Sequence, residues 1–374
     1  MPAETFLSAA SAPFVTASVD APHLDHPLTA TGRTLGWGVV STANIAERVV
    51  PDIAALPDAR LVAVSSRDQH RADDFAHRHG VARAYGNTPS ATGLERLAAD
   101  PEVEVVYVAT PHGYHHRDVS ALLRAGKHVV CEKALAVTEA EVRDLAELAR
   151  EHGVFLMEGV WTRMTPGFRT AMRLLREGRL GRVRSVDAAI GMHVPVDPEH
   201  RLFRNADGGG VLLDMMVYPL TWTSAVLGSP RDWSVRAELG PTAVDVDLAL
   251  TLDFGHARGH VSGTLAGLVP HHVTISGTEG WLRVDGRINC PTTLVLQTAR
   301  RQREGEPPVV EHVDVVGAGF VYEMREATRC VQAGLTESPL MPWADSLELV
   351  GLFDRVRQRI GVDYPNDDRL PRDP

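Results

Sequence analysis

Only two of the chain's 38 basic residues are lysines, Lys127 and Lys133. Arginine stays protonated in proteins, whereas a lysine's pKa can be tuned. Lys133 is therefore a candidate wherever a proton must be shared or a developing negative charge steadied. Lys127 reads as a survivor of an arginine-biased composition. Asp214 and Tyr218 are four residues apart, a spacing that puts both on one face of a continuous helix. A carboxylate beside a phenol can orient a substrate hydroxyl and pass a proton. Gly208, Gly209 and Gly210 open that helix, which implies a close approach to something. Trp161 and Arg163, in Met157-Glu-Gly-Val-Trp161-Thr-Arg163, sit where the two halves of the chain meet, and the indole can stack on a substrate or a flat cofactor ring. His112, His115 and His116 follow an apolar run. The pairs His115-His116 and His271-His272 lack a third ligand at metal spacing, so no metal is expected.

A second constellation concerns an anion. The run Gly38-Val-Val-Ser41-Thr42-Ala43-Asn44-Ile45-Ala46 joins a strand to a helix. Small residues there let the backbone approach a pyrophosphate at the helix N-terminus. The glycine fingerprint is degraded to Ser41, Ala43 and Ala46. After the next strand come Ser66 and Arg67, a hydroxyl and a guanidinium that suit a 2′-phosphate, whereas an NAD-selective site places a carboxylate there. NADP is the expected cofactor, with NAD possible because Asp68 follows.

The elements that must carry these groups alternate. Strands are expected at 35–41, 60–66, 104–109, 127–131 and 154–157, with helices near 43–55, 69–79, 89–99, 114–125 and 138–152. Runs that are apolar throughout, separated by helices, imply a parallel sheet covered on both faces. Ligands then bind at the carboxyl ends of the strands, where Thr110-Pro111-His112 and Glu132-Lys133-Ala134 fall. Beyond about residue 160 longer strands are expected at 182–191, 243–253, 257–265 and 270–284. Helices are expected near 209–226, 322–333 and 344–360. That half reads as an open, mainly antiparallel α+β sheet with helices on one face. The expected division is a flexible arm over 1–34, a dinucleotide-binding domain over 35–160 and a substrate and oligomerisation domain over 161–374, whose last helix can pack back on the first domain.

Composition narrows the partners. With 38 Lys and Arg against 48 Asp and Glu, the net charge is −10. This disfavours a general nucleic-acid or anionic-membrane surface. No apolar run approaches the roughly 18 residues of a membrane helix. Three widely spaced cysteines make no disulfide framework, so a reducing cytoplasm is the expected location.

The phosphate turn, Ala125–Ala134, Met157–Arg163 and Gly208–Tyr218 together resemble the Gfo/Idh/MocA oxidoreductases. The chain is most similar to their dimeric dihydrodiol and NADP-linked D-xylose dehydrogenase branch. The segments Cys330–Pro342 and Ile360–Asn366 are similar to the C-terminus of that branch. The resemblance covers about residues 35–367. It implies a Rossmann domain binding NAD(P) through Ser41, Thr42, Ala43, Asn44, Ile45, Ser66, Arg67, Thr110, Pro111, His112, His115, Glu132, Lys133, Trp161 and Arg163. It implies a substrate pocket drawing on Lys133, His112, Trp161, Asp214 and Tyr218, with Lys133, Tyr218 and Asp214 catalytic. It also implies a homodimer or homotetramer formed through the C-terminal sheet. Ala134 stands where the family has proline, which leaves the Lys133–Ala134 bond cis or trans. Met216 stands where glycine is usual and is expected to narrow the pocket.

The expected activity is hydride transfer between NADP(H) and a hydroxyl or carbonyl carbon of a sugar, polyol or dihydrodiol. Tyr218 would take the hydroxyl proton and Lys133 would steady the alkoxide, or Lys133 would itself carry the proton. The rivals are a non-catalytic nucleotide-binding regulator and a redox-assisted glycosidase or lyase on the same scaffold.

Overall fold

The computed structural model describes residues 20–368. Residues 1–19 of the expected N-terminal arm lie outside them. Of the remainder of that arm, Ala21 and Leu24 are buried, and the Ala21 carbonyl accepts a 2.9 Å hydrogen bond from Arg169.

The chain divides into two compact units. Among the described residues, the first comprises His23–Val160, Val316–Gly351 and Pro365–Asp368. Six strands, β1 (Leu35–Val40), β2 (Ala59–Ser65), β3 (Arg83–Tyr85), β4 (Val105–Val108), β5 (His128–Glu132) and β6 (Leu156–Gly159), form one sheet in the order β3-β2-β1-β4-β5-β6. Every pairing is parallel. All residues of β1 and β4 are buried, as helical cover on both faces requires. The intervening helices are α1 (Asn44–Ala54), α2 (Gln69–His79), α3 (Gly93–Ala98), α4 (His112–Arg124) and α5 (Glu139–His152). The capping box foreseen at Thr138 appears as a bond from the Glu141 amide to the Thr138 hydroxyl, and Thr92 with Glu95 forms a complete one on α3. Strand β3 escaped the sequence reading because three half-buried residues, Arg83, Ala84 and Tyr85, have no apolar run to betray them.

Among the described residues, the second unit comprises Asp20–Pro22, Trp161–Val315 and Leu352–Tyr364. It opens with α6 (Pro166–Arg176). Eight strands follow: β7 (Val183–Gly191), β8 (Asp232–Leu239), β9 (Asp245–Asp253), β10 (Arg258–Thr264), β11 (His272–Gly277), β12 (Gly280–Asp285), β13 (Thr293–Thr298) and β14 (Val309–His312). Their order is β14-β13-β12-β11-β7-β10-β9-β8. Only β7 with β10 is parallel. The single strand expected over 270–284 is a hairpin, β11 and β12, turned at Thr278-Glu279. Strands β8, β13 and β14 were not foreseen.

The helix expected over 209–226 is two segments, α7 (Val211–Asp214) and α8 (Val217–Leu227), bent by 46°. Between them the Met216 amide reaches back five residues to the Val211 carbonyl, and the Tyr218 amide only three, to Met215. Pro219 explains the break. In a continuous helix its missing N–H would have to serve the Met215 carbonyl, and its ring would collide with it. In the first turn of a restarted helix the same proline costs nothing. The short helix α9 (Ala299–Arg303) follows β13. Back in the first unit, α10 (Val321–Gln332) packs on α1, and the Trp343 indole, at the start of α11 (Trp343–Ile360), donates to the Leu156 carbonyl. No single described helix is long and apolar enough to cross a membrane.

Candidate active site

In the parallel-sheet unit the strand ends carry the expected groups. Strand β1 runs into Ser41, whose φ of +88° is the left-handed turn where the family pattern would have glycine. Its amide donates to the Ser65 carbonyl at 3.0 Å. Helix α1 then begins at Asn44, and its cap residue Ala43 supplies no side-chain acceptor. The first-turn amides thus have no capping side chain, the condition an anion needs. Glu47, the one acid in that turn, is held by Arg78 at 2.5 Å and His79 at 2.6 Å. Ala46 is fully buried, so the helix seats closely on the sheet.

At the end of β2, Asp68 serves the next helix. Its carboxylate caps α2, accepting from the Arg71 amide at 2.9 Å. Ser66 is half-buried and Arg67 exposed.

The segment Glu132–Leu135 is fixed at four successive points. The Tyr107 phenol donates to Glu132 at 2.6 Å. The His112 ring nitrogen Nε2 lies 3.0 Å from the Lys133 carbonyl. His115 Nδ1 lies 2.8 Å from the Ala134 carbonyl, and its Nε2 lies 2.7 Å from that of Thr110. The Leu135 amide donates to Glu158 at 3.0 Å, and Glu158 also accepts from Ser346 at 2.6 Å. The Lys133–Ala134 bond is cis. His115 is completely buried. Burial pushes its pKa below the ordinary imidazole value, against the pull of its two carbonyl partners. A neutral ring donates only one hydrogen bond, so it ties one of those carbonyls at a time. Lys127 is structural. Its ammonium donates to the Asp100 and Val103 carbonyls, each at 2.8 Å, and burial lowers its pKa.

In the antiparallel-sheet unit Trp161 is almost wholly buried, and its indole N–H donates to the Tyr218 phenol oxygen at 3.3 Å. The Arg287 guanidinium lies 5.8 Å over the indole. Arg163 is buried in the same 3₁₀ turn. Asp214 ends α7 and accepts from Arg201 at 3.0 Å, while Tyr218 lies in the first turn of α8. Asp214 and Tyr218 thus lie on either side of the helix break, and the Trp161 indole contacts the phenol. Met216 is completely buried, its sulfur packed over Gly263 of β10, so the side chain fills its own unit's core.

The last of the three glycines meets a carboxylate. Gly210 has a φ of +110°, and a β-carbon on it would collide with Asp245 Oδ1. Asp245 is wholly buried and accepts from the Leu212 amide at 2.7 Å, capping the helix that ends in Asp214. Burial pushes its pKa up to about 7. A β-carbon on Gly209 would lie 2.7 Å from the Leu202 carbonyl, and the Tyr364 phenol donates to the Gly209 carbonyl. Sequence reading missed Arg201, Asp245 and the role of Tyr364. By strand alternation Asp245 belongs with outward-facing Asp247, Ala249 and Thr251. The register shift opposite Glu238 and Leu239 turns it inward.

The paired histidines are spent elsewhere. His116 bonds Asp144 at 2.7 Å, His271 the Gly191 carbonyl at 2.6 Å and His272 Asp187 at 2.7 Å.

Comparison with known proteins agrees with this architecture. Residues 35–160 match the GFO/IDH/MocA oxidoreductase model, described as an NAD-binding Rossmann fold, and residues 168–283 match the model of that family's C-terminal domain. The chain is 35% identical over 344 residues to the trans-1,2-dihydrobenzene-1,2-diol dehydrogenase of Homo sapiens, covering 90% of this chain and 99% of that protein. It is 36% identical over 338 residues to the enzyme of that name from Danio rerio, covering 89% and 99%. Among solved structures, a 3-ketoreductase from Actinomadura kijaniata in complex with NADP and TDP-benzene is 25% identical with a TM-score of 0.76, covering 87% and 98% of the two chains. An aldose-aldose oxidoreductase from Caulobacter crescentus complexed with glycerol shares the fold at 24% identity and a TM-score of 0.77, covering 88% and 98%.

Proposed function

The chain belongs to the Gfo/Idh/MocA oxidoreductase family, and from that premise we propose that it moves hydride between NADP(H) and a CH–OH carbon of a sugar, polyol or dihydrodiol, with Tyr218, Lys133 and Asp214 as its catalytic residues. The observation that carries this reading is the 3.3 Å bond from Trp161 to the Tyr218 oxygen. An indole N–H can only donate, so the phenol's own hydrogen stays directed elsewhere, and the phenolate left by its departure keeps a donor. Tyr218 then removes the substrate hydroxyl proton in the oxidative direction. Lys133, the one lysine at a strand end, steadies the developing alkoxide by its charge. Asp214, held by Arg201, orients the substrate. When bound, the nicotinamide ring supplies the hydride acceptor or donor.

For the cofactor, the uncapped start of α1 suits the pyrophosphate, with Ser41–Ile45 around it. Thr110–His112, His115, Glu132, Trp161 and Arg163 make up the rest of the proposed cofactor set, and His112 and Trp161 also serve the substrate. Ser66 and Arg67 suit a 2′-phosphate, and one oxygen of Asp68, the carboxylate that would favour NAD, is engaged in capping the next helix. Arg67→Ala is expected to lower kcat/KM with NADP by about 10–100-fold, the worth of a charge-assisted hydrogen bond, while leaving NAD within about threefold. Steady-state rates with the two cofactors measure this, and equal losses with both would remove Arg67 from the phosphate site. Trp161→Phe is expected to lower kcat by about 3–10-fold and move the pH profile to higher pH, because the phenolate loses its donor.

The defining test is a panel of aldoses, polyols and trans-dihydrodiols with NADP, followed by nicotinamide absorbance. Absence of turnover with every member, in a protein that binds NADP, would replace the enzyme with a nucleotide-binding regulator. The outward residues of the eight-stranded sheet, among them Asp187, Thr251 and His260, are polar and exposed, and we place a homodimer contact on that face. Sedimentation of wild type against Thr251→Arg checks it.

A further inference from the structure

Glu323 has no place in the chemistry above, yet it occupies an unusual position. It lies in the first turn of α10 and is completely buried. Among the described residues no protein group hydrogen-bonds either carboxyl oxygen. Its Oε1 lies 3.4 Å from where a β-carbon on Gly159 would stand, and that same point is 3.3 Å from the Glu132 Cα and 3.1 Å from the Cys131 carbonyl. The carboxyl is therefore laid against the carboxyl ends of β5 and β6, where Glu132 pairs with Gly159 and Cys131 with Glu158. Three buried carboxyls share this place: Glu132, bonded by Tyr107; Glu158, bonded by Leu135 and Ser346; and Glu323.

The surrounding ionisable groups are Tyr107 on β4, Cys131 and Glu132 on β5, and Glu158 on β6. On α1, Arg48 lies over the Phe320 ring and Asp52 accepts from the amides of Ala318, Phe320 and Val321. Glu323's own helix neighbours are committed elsewhere, Arg325 to Asp58 and Glu326 to His23, Arg329 and Ser338. Burial, and after it the charges of Glu132 and Glu158, holds the Glu323 pKa well above the ordinary carboxylate value.

A buried carboxyl without a protein partner destabilises a fold. Such groups persist where the reaction uses them. We propose that Glu323 is a positioning residue for Lys133: as a neutral acid it lets Glu132 and Glu158 clamp both ends of the Glu132–Leu135 segment, and on losing its proton it forces that clamp open. Glu132 and Glu158 each accept hydrogen bonds in this space, whereas Glu323, against Glu132, accepts none among the described residues, so a charge on it would go uncompensated. The inference rests on the reading of Lys133 as catalytic for its effect on turnover, but the protonation of Glu323 can be measured without it.

The test uses the full-length protein and the variants Glu323→Gln and Glu323→Met. Infrared difference spectra of wild type against Glu323→Gln at neutral pH should show the carbonyl stretch of one protonated carboxylic acid, absent from the variant. The alkaline limb of kcat should move upward by at least about one pH unit in Glu323→Gln, a change that a merely space-filling residue would not cause. Glu323→Met, which removes the unpaired group while keeping its length, should raise Tm by about 2–4 °C while losing the same limb. A missing acid band, an unmoved limb or a lowered Tm in Glu323→Met would each overturn the proposal. Failure of the catalytic reading would show differently, as full turnover in Lys133→Met with the Glu323 band still present.

Discussion

Tyr218→Phe is expected to lower kcat by about 10²–10⁴-fold, the range for losing a general acid–base group, with NADP affinity unchanged. The ring, its packing and the α8 turn all survive this change, so the loss reports on the hydroxyl alone. Lys133→Met is expected to lose as much, because either proposed role of Lys133, steadying the alkoxide by charge or carrying the proton, needs the ammonium. Lys133→Arg separates the two roles left open by the sequence. If Lys133 acts by charge, arginine restores a measurable part of the rate. If it carries the proton, arginine restores none, since a guanidinium does not give its proton up near neutral pH. Rapid-mixing single-turnover rates, with cofactor binding followed by fluorescence, distinguish chemistry from binding. Near wild-type turnover in both Tyr218→Phe and Lys133→Met would remove this catalytic assignment.

The second large effect is on stability. Gly210→Ala is expected to destabilise the protein by more than about 3 kcal/mol, because the new side chain must adopt a φ of +110° and collide with Asp245. The damage falls on α7, which ends in Asp214, so activity is lost along with stability. The coupling to Asp245 can be isolated. Asp245→Ala removes the atom that the new methyl group would strike and also removes the acceptor for the Leu212 amide. In the double variant the collision is gone and only the backbone strain and the lost cap remain. The double loss should therefore fall short of the sum of the single losses, and simple additivity would remove Asp245 as the reason for the glycine. Asp245 also has a pH signature. Its folded-state pKa of about 7 exceeds the ordinary 3.8, so between those values the folded state holds the extra proton. Stability from this group is full at the acid end and declines as pH rises through about 7. Asp245→Asn should flatten that slope in denaturant titrations at a series of pH values.

Much of this arrangement was legible because it depends on neighbours in the chain. Apolar runs with no polar alternation mark strands covered on both faces, and β1, β4, β5 and β6 fall within two residues of their expected ends. The isolation of Lys133 at the end of β5 was visible from residue types alone. The helix break was written in the sequence too, at Pro219, but the spacing of Asp214 and Tyr218 drew attention to a continuous helix instead. What was missed had weak local signals. Strand β3 has three residues, and β8 and β14 lie at the edges of their sheet, where one face and one side meet solvent and apolar patterning relaxes.

The amino-acid order by itself determined the parallel sheet, the second sheet, the phosphate turn and the choice of Lys133, because each follows from local periodicity or from a residue type that few positions share. The tertiary structure alone decided which groups surround them. A strand bulge turned Asp245 inward beneath Gly210. A helix far along the chain from Lys133 laid Glu323 against the end of β5. The indole of Trp161 came to donate to the Tyr218 oxygen. Periodicity records which side of an element is buried; it does not record what that side is buried against, and the chemistry of a buried acid or phenol is set by those neighbours.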